Sequence, residues 1–495
     1  MRIVTGLAAS GKTSMLLREI AEKAEANRGR QILLVPELNS HQMERRLAAH
    51  NHGARTAEVL TFSRLADRVF AVVGGLAQQM LTPAGQLLTL QEAARRVQVG
   101  LTAWSGLADK PELLSETLAL IDECKSCMIE PETLFRASEE SALDEDAALS
   151  AKLRDLAQIL TQYDSLCGET LPDPRDRLTH LRDGLAESHV LDGAEVYLDG
   201  FLSYTPQELA IIEVMLSSGV PLTAAVTCDV ELPDVFVTGC RTLRTLTRMA
   251  ERCSRRPELV DLGAGKMPRP AGLAAVANEA LLPVRQAHED ASGVRLYEAA
   301  SPFDECEHAA AYIRRKVRDE GAHYRDFVIA ARDIGPYSAS LAMAMGRYDI
   351  PMFLADKPDL LSRPPMALVI GALESVRSNF GCRELFGCLK TGLTGLAWDE
   401  IDRLENYAIT WKIHGAAWER DWVEHPDGYG IPVDEAAQAQ LDELNELRAR
   451  AIAPFAALRE RLKGEQPSAE CVRALYDFLL AVDAPRRMEE RAAEH

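Results

Sequence analysis

The sequence predicts an α/β protein built around a parallel β-sheet, and three observations lead to that prediction. Short apolar segments typical of buried strands occur at residues 3–5, 31–36 and 57–62, and a segment with helical periodicity follows each of them. A glycine-rich motif joins the first strand to the first helix. Strands that alternate with helices of this length require right-handed crossovers, and such crossovers produce a parallel sheet.

The glycine-rich motif is Gly6-Leu7-Ala8-Ala9-Ser10-Gly11-Lys12-Thr13, which matches the G-x-x-x-x-G-K-[ST] pattern of phosphate-binding loops. Backbone N–H groups and the following helix N-terminus would surround the phosphates of a nucleoside triphosphate. Lys12 would reach the β- and γ-phosphates, and Thr13 would ligate Mg²⁺. The alternative is a chance match in a turn, which the flanking strand and helix disfavour. The predicted nucleotide-binding residues are Gly6, Ala9, Ser10, Gly11, Lys12 and Thr13.

Composition narrows the class of protein. The chain of 495 residues has 47% hydrophobic and 26% charged residues, which is typical of globular proteins with large cores. No apolar run approaches the roughly 20 residues that span a bilayer, and no leader precedes the first strand, so we expect a cytoplasmic protein without a membrane partner. A net charge of −20 argues against a free-standing nucleic-acid binder. It leaves room for a groove lined by a few arginines or completed by a basic partner.

The ten cysteines are scattered without a paired framework, which indicates reduced, mostly buried thiols. Cys124 and Cys127 form one C-x-x-C, but no second pair or histidine cluster lies nearby. We therefore expect Cys124, Cys127, Cys382 and Cys388 to pack between helices rather than to bind a metal.

The α/β pattern is interrupted once and then resumes. Residues 81–189 are almost entirely helical, which is too long for a crossover and predicts an inserted helical domain. Strands are expected again at residues 194–199 and 222–227, with a helix after Pro206 between them. Residues 254–286 are rich in proline and glycine and are the best candidate for a linker.

A second α/β unit is expected after the linker. Its predicted strands lie at residues 294–299, 327–331 and 350–353, with helices at 304–317 and 337–345 between them. After about residue 362 the pattern is helical to the end of the chain.

A phosphate-binding loop needs a carboxylate at the end of a neighbouring strand to hold the water shell of the metal, and Asp199 is in that position. The alternative is an aspartate in a strand-ending turn with Gly200. Motor ATPases of the helicase kind have a glutamate after this aspartate, whereas this chain has Gly200, which cannot accept a proton. Fast hydrolysis by this site is therefore doubtful. Glu208, Asp229 or a residue in trans could supply the missing base, but nothing in the sequence singles one out.

Further segments in the same order give the chain a specific resemblance. It resembles the N-terminal part of the AddB family, the B subunits of the bacterial AddAB helicase–nucleases that process double-strand breaks for recombination. The segments that carry the resemblance are the phosphate-binding loop, Leu34-Val35-Pro36-Glu37, Gln42-Met43-Glu44, Val59 to Ala66, Asp199-Gly200-Phe201, Tyr204 to Glu208, Leu389 to Leu393, Asp402 to Tyr407 and Gly415 to Trp418. Together they extend over nearly the whole chain.

The resemblance implies a superfamily 1 helicase-like fold, with two RecA-like parallel-sheet domains that each carry a helical insertion. Residues 1–80 plus 190–285 would form the first RecA-like domain, and residues 81–189 its insertion. Residues 290–375 would begin the second RecA-like domain, and residues 376–495 would be its truncated helical insertion.

In the family this part binds ATP without being the motor, contacts the single strand that leaves the partner's motor, and recognises the hotspot sequence Chi. The resemblance places the DNA and Chi contacts at Glu37, Leu38, Ser40, Gln42, Arg64, Arg68 and Phe201. Arg64 and Arg68 suit phosphate or base-edge contacts and Phe201 suits base stacking, although the arginines could be surface charges and Phe201 could be core. The family usually has Gln where this chain has Leu38, so Chi recognition would be altered or absent.

The resemblance also implies cofactors and partners. ATP and Mg²⁺ would bind at the loop, and the partners would be an AddA-type motor and nuclease subunit and single- and double-stranded DNA. The family's nuclease domain and iron–sulfur cysteines would lie beyond this chain, so no iron–sulfur cysteine is expected in it. The complex would be an ATP-dependent helicase and exodeoxyribonuclease. Two other classes stay open: an autonomous P-loop ATPase or stand-alone helicase, and a structural scaffold with a vestigial nucleotide site.

Overall fold

The computed structural model describes residues 1–51, 56–143, 146–169, 171–263, 269–279, 287–354, 360–361 and 363–494. It divides the chain into two compact units, Met1–Leu296 and Tyr297–His495.

A six-stranded parallel sheet organises the first unit. Its strands are β1 Arg2–Gly6, β2 Arg30–Leu34, β3 Ala57–Leu60, β4 Ala194–Leu198, β5 Leu222–Thr227 and β6 Glu258–Asp261. Their order across the sheet is β3-β2-β4-β5-β1-β6, and every pairing is parallel. All strands therefore end at one edge of the sheet, which is where ligands of open parallel sheets bind.

Helices cover both faces of this sheet. The helices of the first unit are α1 Lys12–Glu25, α2 Ser40–Asn51, α3 Phe62–Val73, α4 Pro83–Val97, α5 Pro111–Ser126, α6 Pro131–Leu143, α7 Ala147–Glu169, α8 Arg177–Leu185, α9 Pro206–Ser217, α10 Val237–Arg252 and α11 Ala271–Glu279. Side chains that alternate along the strands separate two cores, because successive residues of a strand point to opposite faces. α1 and α2 pack on the face that includes Val4 and Leu33, whereas α3, α8, α9 and α10 pack on the face of Ile3 and Ile32.

The helices α4 to α7 form a core of their own, centred on Leu90, Ile121 and Tyr163. They are tied to the sheet through the segment before α8. The side-chain amide of Gln207, in the first turn of α9, donates to the Arg175 carbonyl at 3.0 Å and to the Thr179 hydroxyl at 3.0 Å. This contact fixes the start of α9, which follows the loop after β4.

The structure corrects the prediction of a linker at residues 254–286. Residues 258–261 form β6, which pairs in parallel with β1, and Ala271–Glu279 is helical; residues 264–268 and 280–286 lie outside the described residues. The edge strand is short and its side chains are exposed, with Leu259 at 58% exposure, so its apolar signal is weak. Proline and glycine around it dominated the sequence pattern.

The second unit is helical wherever regular structure is described. Its helices are α12 Pro302–Glu320, α13 Ser338–Arg347, α14 Pro364–Arg377, α15 Cys382–Leu389, α16 Trp398–Thr410, α17 Glu435–Arg461, α18 Ser468–Ala481 and α19 Ala484–Glu494. Helices α14 to α19 share one core, and α12 and α13 share another. None of the described helices is both long and apolar enough to cross a membrane.

The second parallel sheet expected at residues 290–375 is not formed by the described residues. The predicted strands at 294–299, 327–331 and 350–353 are all described, and none of them is a strand. A strand exists only where a second backbone accepts and donates its hydrogen bonds, and apolar composition alone does not supply that second backbone. Val328 and Phe353 are in fact 90% and 92% exposed. The α/β class is thus confirmed for the first unit only.

β2 lies inside the sheet, between β3 and β4, and this position leads to a stability prediction. Ile32 is fully buried in the core under α3 and α9, so Ile32→Ala should lower the free energy of unfolding by about 2–5 kcal/mol through lost burial and a residual cavity. Leu38, a few residues later and 98% exposed, is the control, and Leu38→Ala should change it by less than about 0.5 kcal/mol. Urea titration followed by circular dichroism measures both. Equal effects would contradict the position of β2 in the core.

Candidate nucleotide-binding site

The predicted phosphate-binding loop connects the end of β1 to the first turn of α1. Its backbone takes left-handed conformations at Ala9, with φ 60°, and at Gly11, with φ 94°. Gly6 has φ 147°, and a Cβ atom there would lie 2.6 Å from the Ser10 hydroxyl oxygen. The loop therefore closes on itself only with glycine at position 6, and α1 begins at Lys12 directly after it.

Lys12 is directed back into the loop. Its ammonium donates to the carbonyl oxygens of Gly6 at 2.7 Å and Leu7 at 2.8 Å, and to the Ser10 hydroxyl at 3.4 Å. The residue is only 8% exposed. Burial lowers the pKa of Lys12 below its ordinary value, and the negative charge of Asp199 opposes that shift. A cation held at this cost beside the loop amides fits a site for a phosphate anion.

Asp199 follows β4 and is 5% exposed. Its backbone N–H donates to the Leu34 carbonyl at 3.1 Å, which extends the pairing of β4 with β2 by one residue. The sequence placed this carboxylate on a strand next to β1, but β5 lies between β1 and β4. A pattern of strands along the chain does not show their spatial order, so this detail was wrong.

Asp199 and the phosphate-binding loop line one cavity of about 330 Å³. Its lining residues are Ala8, Ala9, Ser10, Gly11, Lys12, Thr13, Ser14, Arg46, Asp199, Gly200, Phe201, Leu202, Ala225 and Thr227. The structure thus brings together Ala9 to Thr13 and Asp199, while Gly6 supports the loop from beneath. The oxygens of Thr13 and Asp199 are of the kind that Mg²⁺ prefers, and the donor set fits a magnesium nucleotide.

No substitute for the missing glutamate lies in this cavity among its described lining residues. Glu208 caps α9, where its carboxylate accepts from the Thr205 N–H at 2.8 Å. Burial raises the pKa of Glu208. The carboxylate of Asp229 accepts from the Glu231 N–H at 2.9 Å. Asp199 is therefore the one carboxylate of the described lining.

The position after Asp199 is shaped for glycine. Gly200 has φ 83°, and a Cβ atom there would lie 3.0 Å from the Asn39 side-chain nitrogen and 3.4 Å from a ring carbon of Pro36. The turn after β4 therefore packs against the segment after β2, and a residue with a side chain would be strained in it.

Five of the seven DNA-contact candidates lie around this pair of turns. Glu37 and Leu38 are exposed in a short 3₁₀ helix over Glu37–Asn39, and Ser40 and Gln42 lie in the first turn of α2. Phe201 is next to Gly200 but is only 9% exposed, with its ring 5.7 Å from Phe62 and 4.9 Å from Tyr204. The ring packs in the core of the sheet, as the alternative interpretation of Phe201 expects.

Arg64 and Arg68 lie elsewhere, on α3 beside the edge strand β3. Arg64 pairs with Glu44, and Arg68 pairs with Glu58 at 3.1 Å. These residues line a separate cavity of about 720 Å³. Both guanidinium groups are about half exposed, so a DNA phosphate would have to compete with a carboxylate at each of them.

Comparisons with known proteins place the chain in a family. A family model described as ADDB, N-terminal, matches residues 3–266, which is more than half of the chain. The chain belongs to the AddB family. The B subunit of the ATP-dependent helicase/deoxyribonuclease of Acetivibrio thermocellus is 30% identical over 524 residues, covering 99% of this chain and 44% of the relative.

Two further relatives agree. The proteins of the same name from Desulfitobacterium hafniense and Clostridioides difficile are 30% and 29% identical, and each covers 99% of this chain. The matches cover 42% and 44% of those relatives. The chain therefore spans less than half the length of the curated family members that it matches.

Two arginines near the site were missed by sequence reasoning. Arg46 of α2 lines the cavity. In the sequence it stands three residues after the apolar Met43, a spacing that places the two side chains on neighbouring positions of the helix surface. The Arg269 guanidinium donates to the Ala8 carbonyl at 3.3 Å. Nothing in the sequence links Arg269 to a loop 261 residues earlier, and it lies within the segment expected to be a linker.

The conformation of Gly200 gives a prediction. Gly200→Ala should lower the stability of the sheet around β4 by about 1–2 kcal/mol, because alanine is strained at φ 83°. Gly168→Ala, on exposed helix surface with open space around it, is the matched control and should raise stability by about 0.5–1 kcal/mol. Hydrogen exchange of β4 amides measures the first change, and thermal unfolding measures the second. Unchanged hydrogen exchange of the β4 amides would show that the turn accommodates alanine without strain and would contradict the prediction.

Proposed function

We propose that this chain is the ATP-binding, DNA-engaging, helicase-like portion of an AddB-type subunit, and that its nucleotide site retains ATP rather than turning it over rapidly. In this proposal it acts with an AddA-type subunit on single- and double-stranded DNA, in the cytoplasm, during the repair of double-strand breaks. The relatives are named as the B subunit of an ATP-dependent helicase/deoxyribonuclease, which supports a role within a complex.

The observation that carries the proposal is the shared cavity of the phosphate-binding loop and the Asp199–Leu202 turn. Lys12 is placed to exchange its bonds with the Gly6 and Leu7 carbonyls for bonds with phosphate oxygens. Thr13 would hold Mg²⁺ directly and Asp199 would hold it through water. When bound, Mg²⁺ would neutralise charge on the phosphates.

Slow turnover is proposed because the described lining offers no second carboxylate. A general base must lie within hydrogen-bond reach of the attacking water, directly or through one water. Glu208 is engaged in capping α9, and Asp229 is engaged in its own turn. The site would bind the nucleotide and orient it without activating a nucleophile.

Contact with DNA is proposed at the loops after β2 and β4, because these two loops touch each other beside the nucleotide cavity. Leu38 projects with 98% exposure, and an apolar side chain of this kind can pack against an unstacked base. A chain of net charge −20 would gain most of its affinity for DNA from a basic partner.

The nucleotide proposal is tested by isothermal titration of Mg-ATP into the chain, with turnover followed in the presence and absence of single-stranded DNA. We expect binding with negligible turnover. Lys12→Ala should weaken binding about 100-fold or more, because it removes a charge-assisted contact with the phosphates. Lys152→Ala, on an exposed helix surface, is the control and should bind normally.

The other outcomes identify the competing functions. Brisk, DNA-stimulated turnover would make the chain a motor despite Gly200. Failure of the wild-type chain to bind nucleotide would favour a scaffold with a vestigial site. Circular dichroism of Lys12→Ala checks that the loss comes from the site, and an unfolded variant would point to a structural role of Lys12 in its bonds with Gly6 and Leu7.

The DNA proposal predicts that Leu38→Glu lowers affinity for single-stranded DNA several-fold, because it replaces an apolar contact with a charge that repels phosphates. Leu88→Glu, on α4 and 65% exposed, adds the same charge to the helical block and is the control. Fluorescence anisotropy of a labelled oligonucleotide measures both, with the chain in complex with its partner. Equal losses for the two variants would indicate a general charge effect and would contradict a contact at Leu38.

A further inference from the structure

Arg46 brings a second cation into the nucleotide cavity. The charged residues of its described lining are Lys12, Arg46 and Asp199, so the cavity carries an excess of positive charge. The chain as a whole has a net charge of −20. An anion is the ligand that such a local reversal of charge favours.

The fold explains how Arg46 reaches this cavity. α2 begins at Ser40, directly after the segment that touches Gly200, so its first turn lies at the edge where Asp199 lies. Arg46 is less than two helical turns further along. Long helical side chains point back toward the N-terminus of their helix, which directs the guanidinium of Arg46 toward this edge.

A contact with Met43, three residues earlier on α2, agrees with that direction. Met43 and Leu47 on the same helix are 8% and 4% exposed, in the core between α1 and the sheet. A guanidinium nitrogen of Arg46 lies 4.0 Å from the sulfur of Met43. Arg45, the preceding residue, is exposed and does not line the cavity.

Three positive features therefore line one cavity: the N-terminal end of α1, Lys12 and Arg46. Asp199 is the single opposing charge of the described lining. A polyanion would be attracted by all three, and a guanidinium is suited to phosphate because it can donate two parallel hydrogen bonds. Arg46 lines the same cavity as Asp199, which would hold the magnesium of the terminal phosphates, and this favours the terminal phosphate as its partner.

We propose that Arg46 binds the terminal phosphate of the nucleoside triphosphate and makes the site distinguish a triphosphate from a diphosphate. The inference rests on the proposed function, because it concerns the same cavity. The arginine is supplied by the same sheet unit as the phosphate-binding loop, so retention of the triphosphate needs no residue from the second unit or from a partner.

The experiment is isothermal titration of Mg-ATP and Mg-ADP into the whole chain and three variants. Arg46→Met keeps the apolar stem and removes the charge, Arg46→Lys keeps a charge without the fork of donors, and Arg45→Met is the matched control. Arg46→Met should weaken Mg-ATP binding about 10- to 100-fold, as expected for the loss of a charge-assisted hydrogen bond. Mg-ADP binding should change less than about threefold, Arg46→Lys should be intermediate for Mg-ATP, and Arg45→Met should match the wild type.

Two results would overturn the inference while leaving the proposed function in place. The first is an unchanged affinity of Arg46→Met for Mg-ATP, and the second is an equal loss for Mg-ATP and Mg-ADP, which would assign Arg46 to packing or to the inner phosphates. Absence of nucleotide binding by the wild-type chain would overturn the proposed function as well. Circular dichroism of each variant shows that it is folded before its affinity is compared.

Discussion

The site depends on the parallel order of the sheet. Because every strand runs in the same direction, β1, β4 and β2 all end at one edge, although the whole helical block separates the loop after β1 from Asp199 in the chain. The chain leaves the sheet after β3, forms the helical block and re-enters the sheet as β4, which is parallel to the other strands. Parallel pairing thus brings Lys12, Asp199 and Arg46 of α2 to a common cavity. An antiparallel β4 would place its aspartate at the opposite edge.

The buried positive charge of the cavity is unfavourable in the isolated protein and favours the binding of an anion. Burial of Lys12 disfavours its charged form, as the lowered pKa reports, and Arg46 adds a like charge to the same space. Asp199 offsets part of this cost. A buried cation contributes to binding when an opposite charge arrives, because the cost of its burial has already been met by the fold.

Local patterns were sufficient for the loop and for five strands, and long-range contacts account for what they missed. The phosphate-binding motif at Gly6 to Thr13 and the strand at Leu222–Thr227 were predicted because their signals lie in adjacent residues. β6 was missed because its pairing with β1 spans most of the first unit. Residues 327–331 and 350–353 have the apolar composition of strands, yet none of them pairs as a strand with another described segment. Arg46 looked like one charge of a polar helix, because a sequence does not show which face meets a distant loop.

Gly200 lies between the cavity proposed for the nucleotide and the loop proposed for DNA. Its left-handed backbone and its contact with Pro36 and Asn39 bring the turn after Asp199 against the segment that leads to Leu38. A glutamate at this position would be strained by the φ angle and crowded by Asn39. The glycine that stands where helicase motors have a glutamate therefore also allows the close contact between the turn after Asp199 and the loop proposed for DNA. In the proposed function, the turn after Asp199 and the loop proposed for DNA would therefore be in direct packing contact.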